Sequence, residues 1–369
     1  MKLDGLELRR ITLPLTAPFR TSFGTEHTRD VLLLRVQGPD GEGWGECVAM
    51  AGPYYSSEHV TGAAEVIRRF LLPALAGDVD AHTAEQRMGR VRGHRMAKSA
   101  VLMAVLDAQL RMAGMSWGGY LGATRDRVPA GVSVGIMDSV PQLLDAVDGY
   151  LAEGYLRIKL KIEPGWDLAP VAAVRERFGD IALQVDANTA YSLSDARHLA
   201  RLDPFGLLLI EQPLPEEDIR GHAELARRIS TPICLDESIV SARAAADAIS
   251  LGAAAVVNIK PGRVGGYLEA RRIHDVCAAH GVPVWAGGML ETGLGRAANV
   301  ALAALPGFTL PGDTSASRRY YARDITDPFT LDDGHLAVPT GPGLGVSPDL
   351  DFLEQITTHR EWLAVPATA

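Results

Sequence analysis

The feature that most narrows what this chain can fold into is a beat of about twenty-five residues running through its middle. From Val128 onward, short apolar runs alternate with helix-patterned stretches and turns, the signature of repeated βα units on a parallel sheet. One residue near the C-terminal end of each run gives Ile136, Lys161, Asp186, Glu211, Asp236, Lys260, Trp285 and Leu310, at separations of 25, 25, 25, 25, 24, 25 and 25. Eight strands at so constant a period predict a closed (β/α) barrel. Residues 128–313 number 186, short of the roughly 200 that such barrels usually need. No amphipathic helix directly follows the eighth run, so one outer helix is expected to be missing or replaced.

The residues before this repeat follow another pattern. Stretches 6–15 and 31–38 read as strands, and Gly38-Pro39-Asp40-Gly41-Glu42-Gly43 reads as the turn of a hairpin into 44–48. Apolar residues at helix spacing mark 63–75 and 97–112, with Gly114 as a stop signal for the second. The tail from Ser315, with turns at Asp327-Pro328-Phe329 and Gly341-Pro342-Gly343, is expected to fold back on this first unit. The reading is an α/β chain, with an α+β unit over residues 1–127, completed by 315–369, and a barrel over 128–314.

Composition removes several functions. Thirty-six Lys and Arg against forty-five Asp and Glu, a net charge of -9 and no basic run argue against a nucleic-acid partner. The N-terminal Met1-Lys2-Leu3-Asp4-Gly5-Leu6-Glu7 lacks the apolar core of a signal peptide. No uncharged apolar run reaches the roughly 18 residues of a membrane span. Cys47, Cys234 and Cys277 are far apart and odd in number, which fits a reducing cytoplasm better than a disulfide framework.

Active sites of (β/α) barrels lie at the C-terminal ends of the strands, and five of the eight landmark residues are ionisable. Because i and i+2 share a strand face, Lys159 points with Lys161, Asp186 with Asn188, and Asn258 with Lys260. Asp186, Glu211 and Asp236 end three consecutive strands and converge on one arc. Left alone they would repel. A hard divalent cation such as Mg²⁺, which takes oxygen ligands and keeps positions for water and substrate, removes that cost. A network of ion pairs with lysines is the competing account.

Lys161 and Lys260 end the second and sixth strands, four apart in a ring of eight, so they are expected to face each other across the mouth. A substrate held by the cation would lie between two amines. Moving a lysine from roughly 10.4 to a useful 7 to 8 costs about 4 kcal/mol, which a divalent ion and a second ammonium nearby can supply. Two substrate carboxylate oxygens on the ion stabilise the charge that appears when an α-proton leaves as an enediolate. A base on each face then permits racemisation, and a β-leaving group diverts the same enediolate to dehydration. From another enzyme class, Lys260 could instead serve as the Schiff-base nucleophile of an aldolase.

Five segments carry a resemblance: Lys159-Leu160-Lys161, Asp186-Ala187-Asn188, Glu211-Gln212-Pro213, Asp236-Glu237-Ser238 and Lys260-Pro261-Gly262-Arg263-Val264-Gly265-Gly266. In this order and spacing the sequence resembles the enolase superfamily, muconate-lactonizing subgroup, and within it the N-acylamino acid racemase / o-succinylbenzoate synthase family. A Lys or His base beside Mg²⁺ is that superfamily's general pattern. Pro18-Phe19-Arg20-Thr21-Ser22-Phe23-Gly24 and Gly287-Gly288-Met289-Leu290-Glu291-Thr292-Gly293 extend the resemblance over nearly the whole length.

The resemblance implies an α+β capping domain, built from both termini, over a (β/α)7β modified TIM barrel. It implies a divalent ion on Asp186, Glu211 and Asp236, Mg²⁺ first with Mn²⁺ or Co²⁺ as alternatives, and Lys161 and Lys260 as the acid/base pair. The implied activity is racemisation of N-acylamino acids, of the N-succinyl type, with o-succinylbenzoate synthesis beside it. In the dehydration Lys161 would be the base and Lys260 would steady the anion. Loops of the cap would close the site, with Phe19, Thr21, Ser22 and Phe23 in one and Tyr54 and Tyr55 in the other, while Met289 lines the side-chain pocket. A homo-oligomer is implied too, octamers being frequent in this subgroup.

Two related activities lack their residues. No histidine occurs in 285–293, where mandelate-racemase-type members carry their second base, and Asp313-Thr314-Ser315 offers one acid where dipeptide epimerases carry a D-x-D pair. Muconate cycloisomerisation needs the same metal and lysines and stays open as the alternative. Arg263 resembles the arginine of the racemase members, expected to hold or tune Lys260 at the substrate. Lys159 is expected to steady the substrate carboxylate and Asn188 to position rather than ligate. Glu237, pointing opposite to Asp236 along the strand, is expected in a structural ion pair. Gly262, Gly265 and Gly266 suit a tight strand-to-helix turn, and Asp107 reads as a satisfied structural acid.

Overall fold

A computed structural model describes residues 1–366 of the chain. Near the N-terminus, β1 (Gly5–Thr21), β2 (Gly24–Gly38) and β3 (Gly41–Cys47) form an antiparallel meander. Alternation along β2 sends Val31 and Leu33 to one face and Leu32, Leu34 and Val36 to the other, into two separate apolar clusters. The sheet is therefore covered on both sides. On one of them lies the helix Arg95–Met112, so close that a Cβ added to Gly43 would sit 2.2 Å from the backbone nitrogen of Ala108. Glycine is needed for that contact, and the helix meets it with Ala100, Ala104 and Ala108 at four-residue spacing.

Two elements depart from the sequence reading. β1 and β2 run well past residue 15 and before residue 31, so the segment 18–24 is the tip of a long hairpin. The helix expected at 63–75 is broken into Val60–Val66, a wide turn at Ile67–Leu71 and a 3₁₀ turn at Leu72–Leu75, where Pro73 cannot donate to an α ladder.

After β4 (Arg127–Pro129) come seven parallel strands: β5 (Gly131–Val134), β6 (Arg157–Lys161), β7 (Leu183–Asp186), β8 (Ile210–Glu211), β9 (Ile233–Leu235), β10 (Val256–Ile259) and β11 (Val284–Ala286). They pair in sequence order, and helical segments separate them. Several of these helices begin where the sequence supplies a cap: Ser139, Asp218 and Ser241 each accept an N–H from the first turn. Residues 308–313 bridge both edges. Phe308 pairs with Val284 of β11, Gly131 N of β5 donates to Gly312 O at 2.7 Å, and Asp313 N donates to Ala286 O at 2.8 Å. A 3₁₀ turn, Ser317–Arg319, follows this run in place of a helix. Finally β12 (His335–Ala337) pairs with β4, and β13 (Thr357–Ala364) pairs antiparallel with β1, joining the tail to the N-terminal sheet.

The period-two pattern of β6 positions the site. Ile158 and Leu160 belong to the main apolar core, so Arg157, Lys159 and Lys161 face the opposite way, with Arg157 and Lys159 over the ring of Trp285 at 5.1 and 4.7 Å. Among the described residues, no helix is long and apolar enough to cross a membrane.

Candidate active site

Lys161, Asp186 and Glu211 are the last residues of β6, β7 and β8, and Asp236 and Lys260 each lie one residue past β9 and β10. Parallel register sets Lys161 beside Asp186 and Asp186 beside Glu211. All three acids are fully buried. Lys159 Nζ contacts Asp313 at 2.6 Å, Glu211 at 3.0 Å and Asp186 at 3.3 Å. Lys161 Nζ donates to Asp186 Oδ2 and Asn188 Oδ1, both at 2.6 Å. Lys260 Nζ donates to Asp236 Oδ2 at 2.8 Å and to the Tyr55 hydroxyl at 3.2 Å, 4.9 Å above the tyrosine ring.

The two facing lysines titrate differently. Burial pushes Lys161 below the ordinary lysine value despite Asp186 beside it. Burial acts on Lys260 too, but Tyr55, Glu237, Glu211 and Asp186 around it outweigh desolvation and hold it above its ordinary value. Asp186 feels the same burial, yet Lys161 and Lys159 hold it well below the usual carboxylate range, whereas burial and the neighbouring Asp186 raise Glu211.

These amines open into a cavity whose walls include Lys159, Lys161, Lys260 and Asn188 from the strand ends, Phe19 and Phe23 from the β1–β2 hairpin, Tyr55, and Met289. Phe23 packs on Tyr55 with ring centroids 5.8 Å apart. Ser22 is absent from the lining. Its hydroxyl donates to Asn188 O at 3.3 Å, which ties the hairpin tip to the end of β7. Arg263 likewise does not line the cavity. It is buried behind Asp236, with Nη1 against Asp236 Oδ1, Nη2 donating to Asn258 O at 2.7 Å and Nε donating to Ile239 O at 3.0 Å.

Besides Ser22 and Arg263, which were expected at the substrate, the structure corrects the reading of Glu237 and adds residues. Glu237 forms no ion pair among the described residues. Its Oε1 accepts from Asn188 Nδ2 at 3.0 Å, because β9 ends at Leu235 and strand alternation no longer governs residue 237. Asp313, which also pairs with Arg157 at 2.9 Å, and Asn258, which donates to Glu211 Oε1 at 2.6 Å, were not assigned to the site beforehand. Asn258 had a visible signal, sharing a strand face with Lys260. Asp107 accepts from Trp44 N, Leu344 N and Arg111 and is satisfied. The glycine cluster turns β10 into the short helix Pro261–Val264, with Gly265 and Gly266 at φ of 102° and 132°.

Among the described residues, no three His, Cys, Asp or Glu side chains are arranged to hold a metal ion as they stand. Lysine ammonium groups occupy the space beside each acid instead. The donor set nevertheless suits a hard cation: three buried carboxylates close three consecutive strands.

Two family models divide the chain between them: "Mandelate racemase / muconate lactonizing enzyme, N-terminal domain" matches residues 6–122, and "Enolase C-terminal domain-like" matches 142–352. The chain belongs to the enolase superfamily. An N-succinylamino acid racemase of Amycolatopsis sp. is 70% identical over 366 residues, covering 98% of this chain and 100% of that one. An o-succinylbenzoate synthase of Geobacillus kaustophilus is 46% identical over 373 residues, covering both chains fully. A crystal structure of an enolase-superfamily member from Listeria innocua superposes with a TM-score of 0.95 at 39% identity, over 99% of this chain and 100% of that one. This superfamily member thus sits in the N-acylamino acid racemase / o-succinylbenzoate synthase branch.

Proposed function

We propose that the chain is a divalent-metal-dependent racemase of N-acylamino acids, of the N-succinyl type, that also forms o-succinylbenzoate by dehydration. The observation that carries this reading is the entry of Lys161 and Lys260, from strands four apart in one sheet, into a single cavity. Asp186, Glu211 and Asp236 would hold the ion, Mg²⁺ first, once their lysine pairs open. When bound, the ion supplies positive charge where α-proton removal concentrates negative charge on the substrate carboxylate.

The remaining steps belong to the side chains. Lys161, the lysine that burial softens, takes the α-proton on one face, and Lys260 returns or takes one on the other. In the dehydration Lys161 is the base, and the ammonium of Lys260, held charged by its neighbours, steadies the anion. Arg263 acts on Lys260 through Asp236 and not by touching substrate. Phe19, Phe23, Tyr55 and Met289 exclude water and shape the pocket for the amino acid side chain.

The architecture belongs to the same proposal. Residues 1–127 with 315–369 form the cap, which the pairing of β13 with β1 supports, and 128–314 form a (β/α)7β barrel, which the bonds of 308–313 to both edges support. Three buried, unpaired cysteines fit a cytoplasmic enzyme. The test is α-proton exchange in D₂O with both enantiomers of an N-succinylamino acid. Exchange of both, abolished by EDTA and restored by Mg²⁺, is expected. No exchange with either enantiomer overturns the reading.

A further inference from the structure

One charged residue of the cavity wall has no part in the chemistry above. Arg29 stands on β2, paired in register with Leu13 of β1, and lines the cavity together with Met50, Met289 and Leu290. It is 1% exposed. Its Nη2 donates to Val48 O at 2.5 Å, its Nε is buried without a partner, and no carboxylate of the described residues pairs with it. The other buried guanidiniums near the mouth are neutralised, Arg157 by Asp313 and Arg263 by Asp236. The lining lysines are engaged as well: Lys159 by three acids, Lys161 by Asp186 and Lys260 by Asp236.

A guanidinium removed from water needs a counter-charge or a full set of acceptors to offset its desolvation, and Arg29 has neither. Its strand neighbours Val31 and Leu33 would be served equally well there by an apolar side chain. Glu26 also lines the cavity but forms no ion pair with it. A ligand in the cavity could bring the counter-charge that the protein does not supply. We propose that Arg29 receives the distal carboxylate of the acyl group, so that the site selects N-acylamino acids whose acyl chain ends in a carboxylate over those with a neutral acyl group. This rests on the racemase reading above. The planar fork of arginine suits a carboxylate, and the methionines and Leu290 beside it suit the methylenes that lead there.

The experiment compares N-succinyl and N-succinamoyl derivatives of one amino acid, which differ only by an amide in place of the distal carboxylate, in the parent enzyme, Arg29→Met and Arg29→Lys. The parent should favour the succinyl substrate by about 10- to 100-fold in kcat/KM, carried mainly by KM. Arg29→Met should collapse that ratio, and Arg29→Lys should restore part of it, which a purely structural role for the residue would not do. Equal use of the two substrates by the parent, or an undiminished ratio in Arg29→Met, overturns the assignment while leaving the racemase reading intact. Should Arg29→Met fail to fold, the parent's ratio and Arg29→Lys decide. Absence of α-proton exchange with either substrate overturns the racemase reading and this assignment together.

Discussion

Replacing Lys260 by alanine separates the two faces of the reaction. The substitution removes an amine 2.8 Å from Asp236 Oδ2 and 3.2 Å from the Tyr55 hydroxyl, while Lys161 keeps its own partners, Asp186 and Asn188. Asp236 retains Arg263 as a counter-charge, so the fold should survive. The enantiomer whose proton faces residue 260 loses its base, a deficit of roughly 10²- to 10⁴-fold, or about 3 to 5 kcal/mol of barrier. The other enantiomer loses only the electrostatic support of one ammonium, on the order of tenfold. Proton NMR in D₂O on each enantiomer should therefore show a gap of about a hundredfold between exchange rates, with racemisation lost because no base returns a proton on the second face. Equal losses for the two enantiomers, or none, would refute the two-base arrangement. A thermal melt of the variant secures the comparison.

Asp236→Asn should weaken Mg²⁺ binding by at least about tenfold in a calorimetric titration, since a hard cation loses an anionic ligand; unchanged affinity would remove Asp236 from the ligand set. Asp107→Ala leaves Trp44 N, Leu344 N and Arg111 without their acceptor and should cost about 3 to 5 kcal/mol of stability in denaturant unfolding, where a loss under about 1 kcal/mol would show the network to be dispensable. Glu46 is buried, and burial pushes its carboxyl up to about 7 despite hydrogen bonds from Thr292 and Gly295. Between about pH 4.5 and 7 the folded chain keeps a proton that the unfolded chain has released, so stability should fall by about 3 kcal/mol as pH rises through that window and level off above it. Glu46→Gln should flatten this slope in thermal melts from pH 5 to 8, and an identical slope would refute the assignment.

The parts of the site legible in the sequence were those fixed by a period. A spacing of twenty-five put Lys161, Asp186 and Glu211 at strand ends, and the two-residue repeat put Lys159 and Asn258 on the inward face. What escaped depends on chain geometry beyond the strands. Glu237 departs from the strand pattern because it lies after the end of β9, where direction is set by a turn and not by pleat. Asp313 joins the site through a run that pairs with both edges without becoming a regular strand, so its approach to Lys159 and Arg157 has no periodic signature. Arg29 comes from a segment more than a hundred residues away from the strand ends in sequence, and only the docking of the long hairpin reveals that Arg29 faces the cavity and Ser22 does not.

The charge at the mouth cannot be explained by stability. Four buried carboxylates, Asp186, Glu211, Asp236 and Asp313, lie against Lys159, Lys161, Lys260, Arg157 and Arg263, and buried ion pairs of this kind seldom outperform apolar side chains of the same volume. This sheet has an apolar alternative at hand, because Leu209, Cys234, Val256 and Trp285 form a fully or almost fully buried cluster from the neighbouring strands. Strand ends built of the same material would fold at least as well. That the chain changes from apolar to ionisable within one or two residues, on five adjacent strands at once, marks the boundary between the part of the molecule that holds it together and the part that moves protons.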